Sequence, residues 1–157
     1  MNEVVVGIAE GRVVQEPDIL VTYALGSCVG VCLYDRISKI AGLAHIVLPY
    51  AESGCQDKTY KYADTGIALL LHEMEKQGAR KERITAKVAG GAEMFKSVNM
   101  AFDIGNRNIL AVRQTLGKLG IPVKAEDTGA HHGRTLLFYA ADGKVEVRNI
   151  RYGTEFL

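Results

Sequence analysis

The chain has 157 residues, 48% of them hydrophobic and 24% charged, proportions that exclude a largely disordered protein and suit one domain with a sizeable core. Its 19 Lys and Arg against 18 Asp and Glu leave no cationic excess to neutralise phosphates, so neither nucleic acid nor an anionic membrane surface is an expected partner. Met1-Asn2-Glu3-Val4 lacks a basic leader and no stretch nears the ~20 apolar residues that span a bilayer, so a cytoplasmic protein without membrane insertion is expected.

In chain order, Val4 to Ala9 and Ile19 to Tyr23 read as strands, rich in β-branched residues. Thr22 lies near the end of the second, six residues before Cys28. The run from Cys28 to Asp35 alternates Val29, Val31 and Leu33 on one face with Cys28, Gly30, Cys32 and Tyr34 on the other. Asp35 to Lys39 reads as a turn, and Ile40 to Pro49 as the returning strand of a hairpin. Pairing Tyr34 with Lys39 and Leu33 with Ile40 predicts Cys28 directly opposite His45, on one face, at a Cβ separation of roughly 4.5–5.5 Å.

Beyond the polar stretch from Asp57 to Tyr62, the spacing of Ile67, Leu70, Leu71 and Met74 predicts a helix over Ala63 to Gln77 with Gly78 as its cap. Ile84 to Ala89 reads as a strand entering Gly90-Gly91. Ile109, Val112, Leu116 and Leu119 predict a second helix from about Asn108, stopped by Gly120 and Pro122. Val123 to Ala125, Arg134 to Ala140 and Val145 to Ile150 read as strands, the last two joined at Asp142-Gly143. Many strands, few helices and terminal hairpins predict a single-domain α+β fold, a layered α/β sandwich of mixed or antiparallel sheets with flanking helices.

Three cysteines without a secretory leader point to free thiols. Cys28 and Cys32 lie about 13 Å apart along a strand, too far for a disulfide; Cys32 reads as a buried small apolar residue and Cys55 as a loop thiol. Cys28 differs because Gly26 and Ser27 precede it, small residues that leave room for a substrate and free backbone N–H groups to face an oxyanion. With His45 as a proton acceptor, Cys28 is a candidate nucleophile. The two Asp-Thr-Gly triplets, at Asp64 and Asp127, sit in too short a chain for two protease lobes. Gly90-Gly91 matches no phosphate loop and suits a tight turn or close backbone approach. His131-His132 and His72-Glu73 lack metal-ligand spacing, so no metal and no cofactor are expected.

Val21 to Val29, Ala44 to Pro49, Lys61 to Asp64, Lys87 to Phe95, Ile104 to Asn108 and Glu126 to Arg134 together resemble the chemoreceptor glutamine deamidase family, CheD, in order along nearly the whole chain. Ala130-His131-His132 departs from the family pattern. The resemblance implies a sandwich similar to the catalytic domain of the cytotoxic necrotizing factor toxins. It implies a protein-glutamine deamidase acting on methyl-accepting chemotaxis receptors, with Cys28 as nucleophile, His45 as its partner and Thr22 completing the site. It also implies binding to the CheC phosphatase; a monomer is expected. A non-catalytic adaptor for receptors and CheC, and a general cysteine protease or amidase, are the alternatives.

Overall fold

The computed structural model describes residues 1–52, 59–94 and 103–157; Cys55, Phe95 and the start of the Asp57 stretch lie outside them. The strands are β1 (Glu3–Val5), β2 (Gly11–Gln15), β3 (Ile19–Leu25), β4 (Val29–Asp35), β5 (Ile40–Ile46), β6 (Ile84–Gly90), β7 (Val123–Thr128), β8 (Arg134–Tyr139), β9 (Val145–Asn149) and β10 (Gly153–Phe156). Two α-helices, α1 (Ala63–Lys76) and α2 (Ile104–Leu119), complete the set with a short 3₁₀ turn at Lys81–Arg83.

The strands form two five-stranded sheets, ordered β1-β3-β8-β9-β10 and β2-β5-β4-β6-β7. Each is antiparallel except for one parallel edge pair, β1 with β3 and β6 with β7. The α+β class and the mixed, layered sheets expected from the sequence are therefore observed. Leu20, Leu136 and Phe138 from the first sheet meet Cys32, Ala41 and Leu43 from the second in a shared core. On the other face of the second sheet, Val29, Val31, Leu33, Ala44 and Ile46 pack against Ile67, Leu70 and Met74 of α1 and Ile109, Val112 and Leu116 of α2. The order is sheet, sheet, helices, and each buried aliphatic or aromatic side chain contributes roughly 1.5–3 kcal/mol of transfer free energy.

Both helices have the sequence-predicted apolar stripes. Gly78 follows α1 at φ +111° and Gly120 caps α2 at φ +72°. α2 begins four residues earlier than the stripe indicated, because the Asp103 carboxylate caps it by accepting from Asn106 N–H at 3.2 Å. Two short strands escaped the pattern: β2, which pairs with β5, and the exposed edge strand β10. β5 stops at Ile46 rather than Pro49 because Val47 and Leu48 turn their N–H groups to the Lys61 carbonyl, at 2.9 and 3.0 Å.

The hairpin register also differs from expectation. Asp35 pairs with Ile40 and Gly30 with His45, a shift of two residues that makes the loop Arg36 to Lys39. Asp35 is the cause. Its buried carboxylate accepts from the N–H groups of Ile37 and Ser38, at 3.0 and 3.3 Å, so it closes the turn from the end of β4. Lys39, at φ +54°, completes the reversal. The same carboxylate takes Arg80 N–H at 3.0 Å and a two-nitrogen grip from Arg83, at 2.8–3.1 Å.

Candidate active site

Thr22 belongs to the first sheet and His45 to the second, and the shared core brings them together. Thr22 is fully buried and His45 is 1% exposed. The Thr22 hydroxyl lies 2.8 Å from His45 Nδ1 and 2.7 Å from the Val6 carbonyl oxygen. A carbonyl can only accept, and a hydroxyl has one proton, so Thr22 donates to Val6 and accepts from His45. Nδ1 therefore carries the ring proton, and Nε2 is left as the basic nitrogen. Nε2 is buried and has no hydrogen-bond partner among the described residues. The backbone of His45 is held at both ends, its N–H by the Glu10 carbonyl at 3.0 Å and its carbonyl by Ala9 N–H at 3.1 Å.

Cys28 is reached through an irregularity in β3. Thr22 pairs with Leu136 and Leu25 with Arg134, so three steps on β3 match two on β8. This bulge sits at Tyr23 and Ala24, with Ala24 at φ +56°. It reverses the alternation, so that Leu25 joins Leu20 in the inter-sheet core. Gly26, Ser27 and Cys28 then carry the chain from the first sheet to the second.

The expected direct opposition of Cys28 and His45 is not observed. Gly30 is opposite His45, and Cys28 lies two residues before Gly30, just outside β4. A two-residue shift preserves the face, so the half-buried Cys28 packs on the same inter-sheet core as a diagonal neighbour of His45. Such neighbours lie about 7–8 Å apart, within reach of long side chains. The thiol makes no hydrogen bond to Nε2 in this state. Burial pushes the Cys28 thiol above its usual range and the His45 imidazole below its own. Both shifts favour the uncharged pair.

Three carbonyls around the cysteine are anchored inward. Gly26 O accepts from Ala92 N–H at 2.8 Å and Cys28 O from Gly91 N–H at 2.8 Å. Ser27 O accepts from Asn108 Nδ2 at 2.9 Å. Gly90 makes the close approach possible: its φ is +108°, and a Cβ there would stand against the Cys28 carbonyl oxygen. Arg134, 3% exposed, braces the neighbouring loop by pairing with Asp127 at 3.3 Å and donating to Gly129 O at 3.0 Å.

Asn108 did not stand out in the sequence, although a signal was present. It lies four residues before Val112, so a polar side chain occupies the buried stripe of α2. Val6 contributes only a carbonyl, for which no side-chain signal exists. Cys32 is 2% exposed, as a structural cysteine should be. His131 and His132 lie in the β7–β8 loop, His131 Nδ1 2.9 Å from Glu93 O and the His132 ring 4.8 Å from that of Tyr152. Among the described residues no three metal-ligating side chains cluster, and no helix is long and apolar enough to cross a membrane.

Comparison with known proteins places the chain in a family. A family model described as CheD chemotactic sensory transduction matches residues 47–149. A protein of Caldanaerobacter subterraneus subsp. tengcongensis, named probable chemoreceptor glutamine deamidase CheD, is 48% identical over 155 residues, covering 97% of this chain and 96% of its own. The protein of the same name from Clostridium novyi is 48% identical with the same coverage. That from Clostridium botulinum is 44% identical over 158 residues, covering 99% of this chain and 98% of its own. Among solved structures, the Bacillus licheniformis hypothetical protein YfiH aligns with a TM-score of 0.46 and 17% identity, over 76% of this chain and 51% of that one. The family model begins after Thr22, Cys28 and His45, but the full-length relatives extend across all three, and on that breadth of agreement the chain belongs to the CheD family.

Proposed function

We propose that this protein is a chemoreceptor glutamine deamidase, a hydrolase of side-chain amides, in which Cys28 is the nucleophile, His45 the general base and acid, and Thr22 the residue that orients the imidazole. The observation that carries this reading is the Thr22–His45 pair: the hydroxyl fixes the proton on Nδ1 and leaves Nε2 basic, on the face that bears Cys28. Any buried histidine needs a partner for its ring N–H; what favours chemistry here is that the other nitrogen, Nε2, has none among the described residues.

In this mechanism Cys28 passes its proton to Nε2 as the sulfur attacks the amide carbon of a receptor glutamine. The proton moves during attack, since burial disfavours a preformed thiolate and imidazolium alike. Backbone N–H groups at Gly26, Ser27 and Cys28 face the tetrahedral oxyanion. The imidazolium protonates the departing nitrogen, ammonia leaves, and a thioester remains. Water then gives a proton to Nε2 and attacks the thioester, releasing glutamate and restoring the thiol. Thr22, being neutral, stabilises the imidazolium less than the carboxylate of a serine-protease triad does.

The same reading makes methyl-accepting chemotaxis receptors the substrate, the CheC phosphatase a partner, and the protein a cytoplasmic, single-domain monomer. It includes the family's likeness to the catalytic domain of the cytotoxic necrotizing factor toxins. Incubation with a purified receptor cytoplasmic fragment should produce the mass gain of amide conversion to acid, and Cys28→Ala should abolish it. A Cys28→Ala protein that still deamidates would overturn the mechanism. One that restores chemotaxis in cells without deamidation would favour the adaptor.

A further inference from the structure

Resting on the deamidase reading above, we propose that Asn108 is a positioning residue that aims the backbone N–H of Cys28 at the oxyanion. Asn108 is fully buried on α2, and its Nδ2 donates to two carbonyls, Ser27 O and Val47 O, each at 2.9 Å. Two carbonyl acceptors fix the amide's orientation, because a flipped amide would set its own oxygen against both. One acceptor adjoins Cys28 and the other lies two residues beyond His45, so a single side chain ties the nucleophile's loop to the base's strand.

The consequence for the oxyanion follows from peptide geometry. In a planar trans peptide the C=O and N–H point in opposite directions. Holding Ser27 C=O against Asn108 turns the N–H of the same peptide, that of Cys28, away from the helix. The Gly26 carbonyl, held by Ala92 N–H at 2.8 Å, does the same for Ser27 N–H. No carbonyl among the described residues takes either N–H. Two adjacent donors beside a nucleophilic sulfur form the cradle that a tetrahedral intermediate needs.

Asn108 carries a cost that packing does not explain. Its Oδ1 is buried without a partner among the described residues, on a helix face it shares with Ile109, Val112 and Leu116. An apolar residue there would leave no orphaned acceptor. Gly105, one turn earlier on the helix, lets α2 approach this loop: a Cβ there would stand against the carbonyl oxygens of Gly91 and Ala92.

The test compares Asn108→Ala with its parent in a Cys55→Ser background, so that Cys28 is the accessible thiol. Against the receptor fragment, kcat should fall on the order of 10- to 100-fold, below the effect of deleting a donor outright, with KM within about twofold. Alkylation of Cys28 by iodoacetamide should keep its rate and pH profile. There the thiolate displaces iodide at a methylene carbon and no oxyanion forms, so a donor acting only on the oxyanion does not register. Unchanged kcat, or a parallel fall in kcat and alkylation, would overturn the proposal. Asn108→Ser, which removes less volume, replaces Asn108→Ala should that variant not fold. A measurement on the unmutated protein stands beside both. A receptor peptide with an aldehyde in place of the glutamine amide adds the Cys28 thiol to give a hemithioacetal, and the Cys28 amide proton should move downfield in its NMR spectrum. An unmoved resonance overturns the proposal. If the parent leaves the fragment unchanged while the aldehyde moves the Cys28 resonance, the deamidase reading fails and the donor assignment stands.

Discussion

Thr22 and His45 are joined by a 2.8 Å hydrogen bond that crosses from one sheet to the other, and the direction of its proton is set by a third group, the Val6 carbonyl, 2.7 Å from the same hydroxyl. Thr22→Val keeps the shape and removes the hydroxyl. The ring proton is then free to move to Nε2, and kcat should fall on the order of 100-fold, the lower range for a disabled general base. Leaving Nδ1 and Val6 O unpaired in the core should cost about 1–3 kcal/mol in chemical denaturation. Thr22→Ser, which retains both hydrogen bonds, should keep most of the activity; equal losses in the two variants would refute the tautomer assignment.

The pH dependence follows from His45. Burial lowers its folded-state pKa below the ordinary 6.5, so the unfolded chain binds the proton more readily. Its stabilising contribution is complete above about pH 6.5 and declines as the pH falls toward the lower folded value. Unfolding free energies measured by guanidinium titration should fall with acid in this range, and His45→Gln should flatten the slope. Activity should share that acid limb. Because burial raises the Cys28 thiol above 9.0, its alkylation rate should still be climbing at pH 9 rather than levelling near neutrality.

Asp35 anchors the far end of the same hairpin. Burial alone would raise its pKa, but Arg83 and the N–H groups of Arg80, Ser38 and Ile37 outweigh that and hold the carboxyl at about 2. Its contribution is thus present above the ordinary 3.8 and is lost as the pH falls through about 2. Asp35→Asn should cost about 2–3 kcal/mol at neutral pH, less than a fully buried pair, because the Arg83 side chain is 30% exposed. Comparing the acid unfolding of the variant with wild type should show the difference shrink below pH 3.8.

Gly90→Ala tests the backbone around Cys28. At φ +108° a non-glycine residue is strained by about 1–3 kcal/mol, and the added methyl would press on the Cys28 carbonyl. A lower melting temperature with loss of deamidation is expected. Cys32→Ala, by contrast, should leave activity within about twofold of wild type while losing some stability to a small cavity.

The helices, the strand β4 and the buried Cys32 were legible because apolar spacing reports directly which face is covered. The register of the hairpin was not. It depends on the Asp35 carboxylate closing a four-residue loop and reaching Arg80 and Arg83, contacts forty-five and more positions away, which periodicity cannot report. The shift was even-numbered, so Cys28 and His45 kept a common face. Gly90-Gly91 read correctly as a place of close approach. Asn108 was hidden by its position near a helix start, where a polar residue ordinarily suggests solvent, and β10 by its exposure, which leaves no apolar alternation to read.

Because the Thr22–His45 bond spans the two sheets, the geometry proposed for catalysis doubles as a gauge of their alignment. Leu20, Leu43 and Phe138 lie buried between the sheets and set the distance at which one rests on the other. A truncation such as Phe138→Ala that let the layers slide by a fraction of a hydrogen-bond length would first silence the imidazole. Activity should therefore fail at a lower denaturant concentration than the circular dichroism of the strands, and the gap between the two midpoints would measure how much slippage the fold tolerates before it comes apart.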